Sequence, residues 1–382
     1  MLHAELEFRA PIFSLFIPPF QHKICALQRL PFCHLAPKFS AMSEHEASWY
    51  SKEPSGKLTC HLCPHGCTLG EGERGQCKIR LMKDGRLETV SYGRPCSLQL
   101  DPIEKKPLFH FLPGSSILSV ASVGCNLHCI NCQNWQISQA KPEEAAAMEL
   151  FPQDLVSLAK SRQSPSIAYT YTEPLVYYEY VRDAATQARA SGLRNVLVTA
   201  GYINAKPLRE LCRVIDAANV DLKGFSDETY RRLNGASLTP ILKGLEVMKE
   251  EGVWLELGTL VVPGYSDNPA ELKAMVKWIA TCLGVGTPFH LLRFHPDYRL
   301  NNIPPTPVET LLYVKELASD AGLRHVYIGN VPGLAQQDTC CPACARILIR
   351  RSAYLVTENL LRDGHCPCGA AVSGVWGQGS YS

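Results

Sequence analysis

The stretch SILSVASVGCNLHCINCQNW, residues 116–135, joins a β-rich apolar run to three closely spaced cysteines. Three residues separate Cys125 from Cys129, and two separate Cys129 from Cys132. Thiolates are soft ligands that suit zinc, copper(I) and iron–sulfur clusters. A four-iron cluster usually takes four cysteines, so three thiolates leave one iron open to bind and activate a ligand. The spacing therefore predicts an open [4Fe–4S] site, with a zinc knuckle or a redox-active trio as the alternatives.

Outward from this loop, short β-rich runs alternate with amphipathic helical segments at intervals of ~25–35 residues, which predicts repeated βα units and a parallel sheet. Six or seven such units are too few to close an eight-stranded barrel. We therefore expect an α/β fold, a partial (open) TIM-like parallel β/α barrel. The cysteine loop follows the first predicted strand, at the end of a barrel where catalytic residues lie. The runs are SILSVAS, SIAYTY, NVLVTA, NVDLK, WLELGTLVV, FHLLRF and HVYIG.

Composition excludes several classes of protein. The chain has 382 residues, is 46% hydrophobic and carries a net charge of +2, which is typical of a globular protein. A charge so close to zero gives no electrostatic reason to expect nucleic acid or an anionic membrane as a partner. No run approaches the ~18 apolar residues of a membrane-spanning helix.

Eleven of the 17 cysteines fall into three clusters, as expected for metal sites in a reducing cytoplasm rather than for disulfides. Each of two further groups offers four soft ligands, for structural zinc or for an auxiliary iron–sulfur cluster. His65 is an alternative ligand in the first group. The groups are Cys60, Cys63, Cys67 and Cys77, a possible second metal site, and Cys341, Cys344, Cys366 and Cys368, a possible zinc site.

Four segments follow from these patterns. Residues 1–41 are predicted to be a disordered or artefactual extension, with Met42 as the true start and a transit peptide as the alternative. Residues 42–113 form a Cys-rich front module, and residues 114–334 form the barrel. Residues 335–382 form a Cys-rich metal-binding tail.

Several motifs together resemble the AmmeMemoRadiSam-system enzymes of the radical S-adenosylmethionine (SAM) superfamily, relatives of the pyruvate formate-lyase activating enzymes. The resemblance runs from about Cys60 to Trp376. It implies that the cluster passes one electron to SAM, giving methionine and a 5′-deoxyadenosyl radical that takes hydrogen from a substrate. The motifs are DPIEKKPLFHFLPGS, GCNLHCINCQNW, YTYTEP, NVDLKGFSDETY, VVPGYSDN, RFHPDY and GNVPG.

The resemblance also assigns partners and cofactor-binding residues. It implies a one-electron reductant, such as flavodoxin or ferredoxin, and partner proteins of the AmmeMemoRadiSam system. Glu173 matches the glutamate of the family's Gly-Gly-Glu-Pro motif, which binds the SAM ammonium, although Tyr171 and Thr172 replace the glycines. Its alternative role is a helix N-terminal charge.

Five further residues near the ends of predicted strands are assigned to the cofactor site, with one departure from the family's pattern. Ala200 stands where related enzymes have asparagine, so Thr199 or Asn204 is expected to contact the ribose. Asp221 and Lys223 resemble the activating-enzyme motif, and Lys223 is expected to meet the SAM carboxylate as a point charge, with an ordinary ion pair as the alternative. His295 is expected on the adenosyl side.

We therefore predict a radical SAM enzyme that abstracts hydrogen from a substrate the sequence does not identify. The first alternative is a glycyl-radical enzyme activase of the pyruvate formate-lyase activating type. The second is a non-catalytic iron–sulfur electron-transfer or binding protein, although such a carrier normally has a fourth cysteine ligand.

Overall fold

A computed structural model describes residues 45–334 and 336–377 of the chain. These residues belong to one compact unit, Phe39–Ser382. The predicted extension, residues 1–41, lies outside the described residues. Among the helices of the described residues, none has the length and apolar character needed to cross a bilayer.

The front module consists of short antiparallel strands joined by tight turns. One hairpin turns at Asp84 and Gly85, which have φ values of 51° and 71°. Positive φ at both central residues is the requirement of a two-residue hairpin turn, and Asp-Gly meets it at low cost. The strands are β1 (Tyr50–Lys52), β2 (Leu58–Cys60), β3 (Thr68–Leu69), β4 (Arg80–Lys83) and β5 (Arg86–Thr89).

Eight strands form the barrel sheet, and they are adjacent in sequence order from β6 to β13. The first pair is antiparallel and the other six pairs are parallel. Seven parallel strands with intervening helices confirm the predicted fold class. The strands are β6 (Ser97–Pro102), β7 (Ser116–Ala121), β8 (Ser166–Tyr169), β9 (Arg194–Thr199), β10 (Ala217–Asp221), β11 (Trp254–Val261), β12 (Phe289–Arg293) and β13 (Val326–Gly329).

The helices from α2 to α8 each bury apolar side chains on one side. Side-chain caps define two of their starts, because Ser226 accepts from the Thr229 N–H and Asn268 accepts from the Ala270 N–H. The helices are α1 (Trp135–Ser138), α2 (Pro152–Ser161), α3 (Tyr178–Ala190), α4 (Ala205–Cys212), α5 (Asp227–Asn234), α6 (Leu238–Glu250), α7 (Pro269–Trp278) and α8 (Val308–Asp320).

The segment after β6 closes the N-terminal end of the barrel. Glu256, near the start of β11, is fully buried and accepts hydrogen bonds from the Phe109 N–H at 2.9 Å and the His110 N–H at 2.7 Å. His290 Nε2 lies 2.8 Å from the same carboxylate. A buried carboxylate needs such partners, so Glu256 fixes the closing segment in place.

The tail folds as a small antiparallel sheet against this closed end. Arg351 donates to the carbonyl of Phe109 at 2.7 Å and stacks its guanidinium 4.1 Å from the ring centroid of that residue. The tail strands are β14 (Thr339–Cys340), β15 (Ile347–Ser352) and β16 (Leu355–Asn359). The predicted segment boundaries at residues 41, 113 and 334 stay predictions, and β6, from the predicted front module, pairs with the barrel strand β7.

Candidate active site

A large opening lies at the C-terminal ends of the parallel strands. It has a volume of about 1230 Å³, counting the space open to solvent. Backbone topology brings residues distant in sequence to this edge, because the carboxyl ends of parallel strands meet there. Predicted site residues that line it are Cys125, Cys129, Cys132, Glu173, Thr199, Asp221 and Lys223.

Each of the three loop sulfurs has a polar group within hydrogen-bonding distance. Hydrogen bonds to sulfur stabilise thiolates that coordinate iron. Burial raises the pKa of the Cys125 and Cys129 thiols, so binding of a metal cluster must displace their protons. The Leu127 N–H lies 3.3 Å from the Cys125 sulfur, Asn234 Nδ2 lies 3.1 Å from the Cys129 sulfur, and Ser138 Oγ lies 3.3 Å from the Cys132 sulfur.

The start of the loop is held by a close backbone approach. Gly124 has φ +89°, and a Cβ at this position would lie 2.5 Å from the carbonyl oxygen of Cys77. Two further backbone bonds tie the loop to α5, from His128 to the Asn234 carbonyl and from Ile130 to the Leu233 carbonyl. The loop is therefore fixed on both sides, by the front module and by a barrel helix.

Glu173 is buried directly after β8 and is held by the end of β9. Its Oε1 accepts from the Thr199 hydroxyl at 2.5 Å, and its Oε2 accepts from the Ala200 N–H at 2.8 Å. Burial raises the pKa of Glu173, and these hydrogen bonds oppose the rise. Thr199 thus orients the carboxylate, and the backbone of Ala200 acts where the sequence lacks the expected asparagine.

Asp221 and Lys223 form an ion pair of 2.8 Å at the end of β10. Burial disfavours the ammonium, but the charges of Asp221 and of the Cys129 thiolate outweigh it and raise the pKa of Lys223. Lys223 is therefore a permanent positive charge beside the cysteine loop, as a ligand carboxylate requires.

Two predicted cofactor residues lie elsewhere. Asn204 does not line the cavity; its Nδ2 donates to the His61 carbonyl at 2.7 Å, which ties the start of α4 to the front module. His295 is also absent from the lining, is exposed, and has Nε2 3.2 Å from the Asn330 carbonyl. Asn204 and His295 thus have structural contacts of their own, which the sequence pattern does not reveal.

A cluster of three polar side chains inside the barrel was not predicted from the sequence. Lys106 and Tyr171 line the cavity, and both donate hydrogen bonds to Oδ2 of Asp101. The distance is 2.7 Å from the Lys106 Nζ and 2.5 Å from the Tyr171 hydroxyl. Burial opposes ionisation of Asp101, but these two donors outweigh it and hold its pKa well below the usual range. Burial lowers the pKa of Lys106 to about 8. The only sequence signal for this cluster was the DPIEKKP motif, which contains Asp101 and Lys106.

The two flanking cysteine groups differ in sulfur spacing. In the tail, Cys341–Cys368 and Cys344–Cys366 are each separated by 3.7 Å between sulfurs, and all four sulfurs lie within 4.8 Å of one another. Within residues 45–334 and 336–377, no other set of three or more His, Cys, Asp or Glu ligand atoms is this tight. The front-module cysteines instead line a cavity of about 330 Å³.

The residues of the main cavity fit the groups that the sequence predicts. The three loop sulfurs are soft donors that lie too far apart for the single-ion geometry of the tail, and a polynuclear cluster needs such separation. A buried carboxylate and an ammonium lie beside them, as the two ends of an amino-acid group require. The cavity could therefore hold a cluster together with an amino-acid-bearing ligand.

Comparison with known proteins agrees with this geometry. Residues 119–279 match the family model described as Radical SAM superfamily. An uncharacterized protein of Methanocaldococcus jannaschii is 46% identical over 309 residues, which cover 81% of this chain and 92% of that protein. Pyruvate formate-lyase 1-activating enzyme of Escherichia coli is 24% identical over 52% of this chain and 87% of its own length.

Among solved structures, Streptococcus suis SuiB bound to S-adenosylmethionine aligns with a TM-score of 0.46 and 13% identity, over 60% of this chain and 53% of that chain.

Proposed function

This chain belongs to the radical SAM superfamily, and from that premise we propose that Cys125, Cys129 and Cys132 hold its [4Fe–4S] cluster while Glu173 and Lys223 bind SAM. As a superfamily member it is an enzyme that uses a [4Fe–4S] cluster, SAM and a one-electron reductant. When bound, the cluster and SAM supply a 5′-deoxyadenosyl radical, which removes hydrogen from the substrate. The substrate itself stays unassigned.

The observation that carries this proposal is the convergence of three thiols, a carboxylate and an ammonium on one cavity. Glu173 is oriented by Thr199 and Ala200 to accept from the ligand's ammonium group. Lys223, held by Asp221, offers a point charge to the ligand's carboxylate. The two groups thus divide the recognition of a zwitterionic amino acid between two strand ends.

The substrate is proposed to bind deeper in the barrel, against Lys106 and Tyr171. These side chains share Asp101, so a substrate group can replace one of the two donors without leaving a buried carboxylate unpaired. With a pKa of about 8, Lys106 exchanges a proton near neutral pH. A polar substrate that offers a hydrogen-bond acceptor fits this wall best.

Anaerobic reconstitution followed by measurement of 5′-deoxyadenosine tests the cluster assignment. Single replacement of Cys125, Cys129 or Cys132 by alanine is expected to abolish SAM cleavage by dithionite-reduced enzyme. The matched control is Cys282→Ala, which changes a cysteine outside all three groups. Wild-type amounts of 5′-deoxyadenosine from any of the three loop variants would refute the assignment.

We further propose that the enzyme belongs to the AmmeMemoRadiSam system and works in the cytoplasm. The motif set supports the first proposal. The 15 cysteines of the described residues are all free thiols, which supports a reducing compartment. Co-purification of the tagged chain with the partner proteins of that system tests the assignment, and their absence from a cross-linked sample would count against it.

A glycyl-radical enzyme activase is the second candidate, because the Escherichia coli relative has that role in its name. The alignment covers 87% of that enzyme but only 52% of this chain, so the front module and tail exceed what an activase of that size needs. An electron paramagnetic resonance signal of a protein-based glycyl radical, formed when this enzyme is incubated with a candidate lyase and SAM, would favour the activase.

A further inference from the structure

The front module gathers four cysteines around one enclosed space. Cys60, Cys63, Cys67 and Cys77 all line one cavity, whose volume is about 330 Å³ when the space open to solvent is counted. The Cys60 N–H donates to the Cys67 carbonyl at 2.9 Å, which brings the ends of the first loop together. An added Cβ on Gly75 would lie 3.7 Å from both the Cys67 and the Cys77 sulfurs. The backbone at Gly75 thus runs beside two of the four sulfurs.

The separation of the sulfurs decides how many metal ions the site suits. A tetrahedral zinc with bonds of about 2.3 Å places its sulfurs roughly 3.8 Å apart. The tail has this geometry, with two separations of 3.7 Å. In the front module no three of the four sulfurs lie within 4.8 Å of one another, since the tail group is the only such set among the described residues. The front sulfurs are therefore spread more widely than a single tetrahedral ion requires, as the ligands of a polynuclear cluster are.

A buried donor at the same cavity points independently to an occupant that accepts a hydrogen bond. Arg80 lines the cavity, is 1% exposed and forms an ion pair with Glu179 at 2.8 Å. Its Nη1 donates to the Ser48 carbonyl, but its buried Nε–H has no acceptor. Buried donors are nearly always paired, so this one requires an explanation. Thiolate or inorganic sulfide at the cavity would be an acceptor for it.

We propose that Cys60, Cys63, Cys67 and Cys77 hold a second iron–sulfur cluster, beside the loop of Cys125, Cys129 and Cys132. Four thiolates complete the coordination, so this cluster has no open iron for SAM and its chemistry is the gain and loss of one electron. The one-electron reductant that the superfamily requires would supply that electron.

The two sites are in direct backbone contact. The Cys77 carbonyl packs against Gly124, and His65 Nε2 lies 2.7 Å from the Asn126 carbonyl. Cys63 and Cys67 are partly exposed, so the front site lies between the cysteine loop and solvent on this side. The arrangement suits transfer of an electron inward from a protein reductant.

The test uses the full chain with Cys125, Cys129 and Cys132 all replaced by alanine. After anaerobic reconstitution we expect about two to four iron atoms per chain to remain, with matching sulfide. The reduced cluster's electron paramagnetic resonance spectrum should not change when SAM is added. Adding Cys63→Ser to this background should remove the iron, while adding Cys282→Ser should leave it.

Complete loss of iron from the folded triple variant, or a second zinc per chain beside the one expected in the tail, would overturn the proposal. If the triple variant does not fold, the test is spin counting on the reduced wild-type enzyme. About half of the clusters should then give an electron paramagnetic resonance spectrum that SAM does not change. Failure of the proposed function gives a different result, because no cluster spectrum of the wild type would then respond to SAM.

Discussion

Replacing Glu173 by glutamine removes a negative charge from the cavity while keeping the side-chain volume. Glu173 is 2% exposed, and its two oxygens accept from the Thr199 hydroxyl and the Ala200 N–H. The two donors bind opposite oxygens of the carboxylate, and the amide nitrogen of glutamine does not accept, so one of the two donors loses its acceptor. The substitution therefore affects both ligand binding and the stability of the cavity wall.

The two effects have separate magnitudes. A hydrogen bond to a charged group contributes about 1.5–3 kcal/mol, so loss of the bond to the SAM ammonium should weaken binding roughly ten- to a hundredfold. Leaving one of the two buried donors unpaired costs about 1–3 kcal/mol of folding free energy. We expect the iron content to stay unchanged, because Glu173 is not one of the residues proposed to coordinate the cluster.

Binding is measured by anaerobic equilibrium dialysis of SAM against reconstituted enzyme, and stability by urea unfolding of the same samples. The control is Glu246→Gln, which removes a carboxylate 3.1 Å from Lys243 on the surface of α6. Exposed pairs contribute about 0–1 kcal/mol, so this variant should match the wild type in both assays. If Glu173→Gln lowers stability but leaves SAM affinity intact, Glu173 only supports the fold.

Three further results are expected. Gly124→Ala should destabilise the chain by about 1–3 kcal/mol more than Gly264→Ala in urea unfolding, because both residues have positive φ but only Gly124 lacks space for a Cβ. Lys106 has its pKa lowered by burial from 10.5 to about 8, so the unfolded chain binds more protons between these pH values. Stability of the wild type should therefore rise with pH across this window relative to Lys106→Met, and equal slopes would contradict the shift. Cys366→Ser should remove one zinc per chain, detected by metal analysis, and expose the tail to protease, because a zinc-binding free energy of ~10–16 kcal/mol is coupled to folding. No loss of metal would exclude a zinc site there.

The parallel strands could be predicted because each is an apolar run of the right length, bounded by amphipathic segments. The cavity followed from the same pattern, since residues placed after such runs converge at one edge. This is why Cys125, Glu173, Thr199 and Lys223 were predicted to lie together. Local pattern and tertiary position agree at these sites.

The remaining features depend on contacts between distant residues. Asn204 follows β9 at the expected interval, but its side chain donates a hydrogen bond to the His61 carbonyl of the front module and does not reach the cavity. The closed end of the barrel depends on Glu256, whose partners Phe109 and His110 precede it by 147 and 146 residues. No periodicity in the sequence marks a buried glutamate as the acceptor for those amides.

The same closing segment joins the tail to the cavity. Glu104 is buried 3.6 Å from Arg351 and accepts from the Gly114 N–H. Two residues later, Lys106 enters the cavity and pairs with Asp101. Arg351 is fixed by β15 of the tail sheet, so unfolding of the tail would remove the guanidinium beside the buried carboxyl group of Glu104. The segment that carries Lys106 would then lose its support, and the position of the proposed substrate-binding group therefore depends on the fold of the tail.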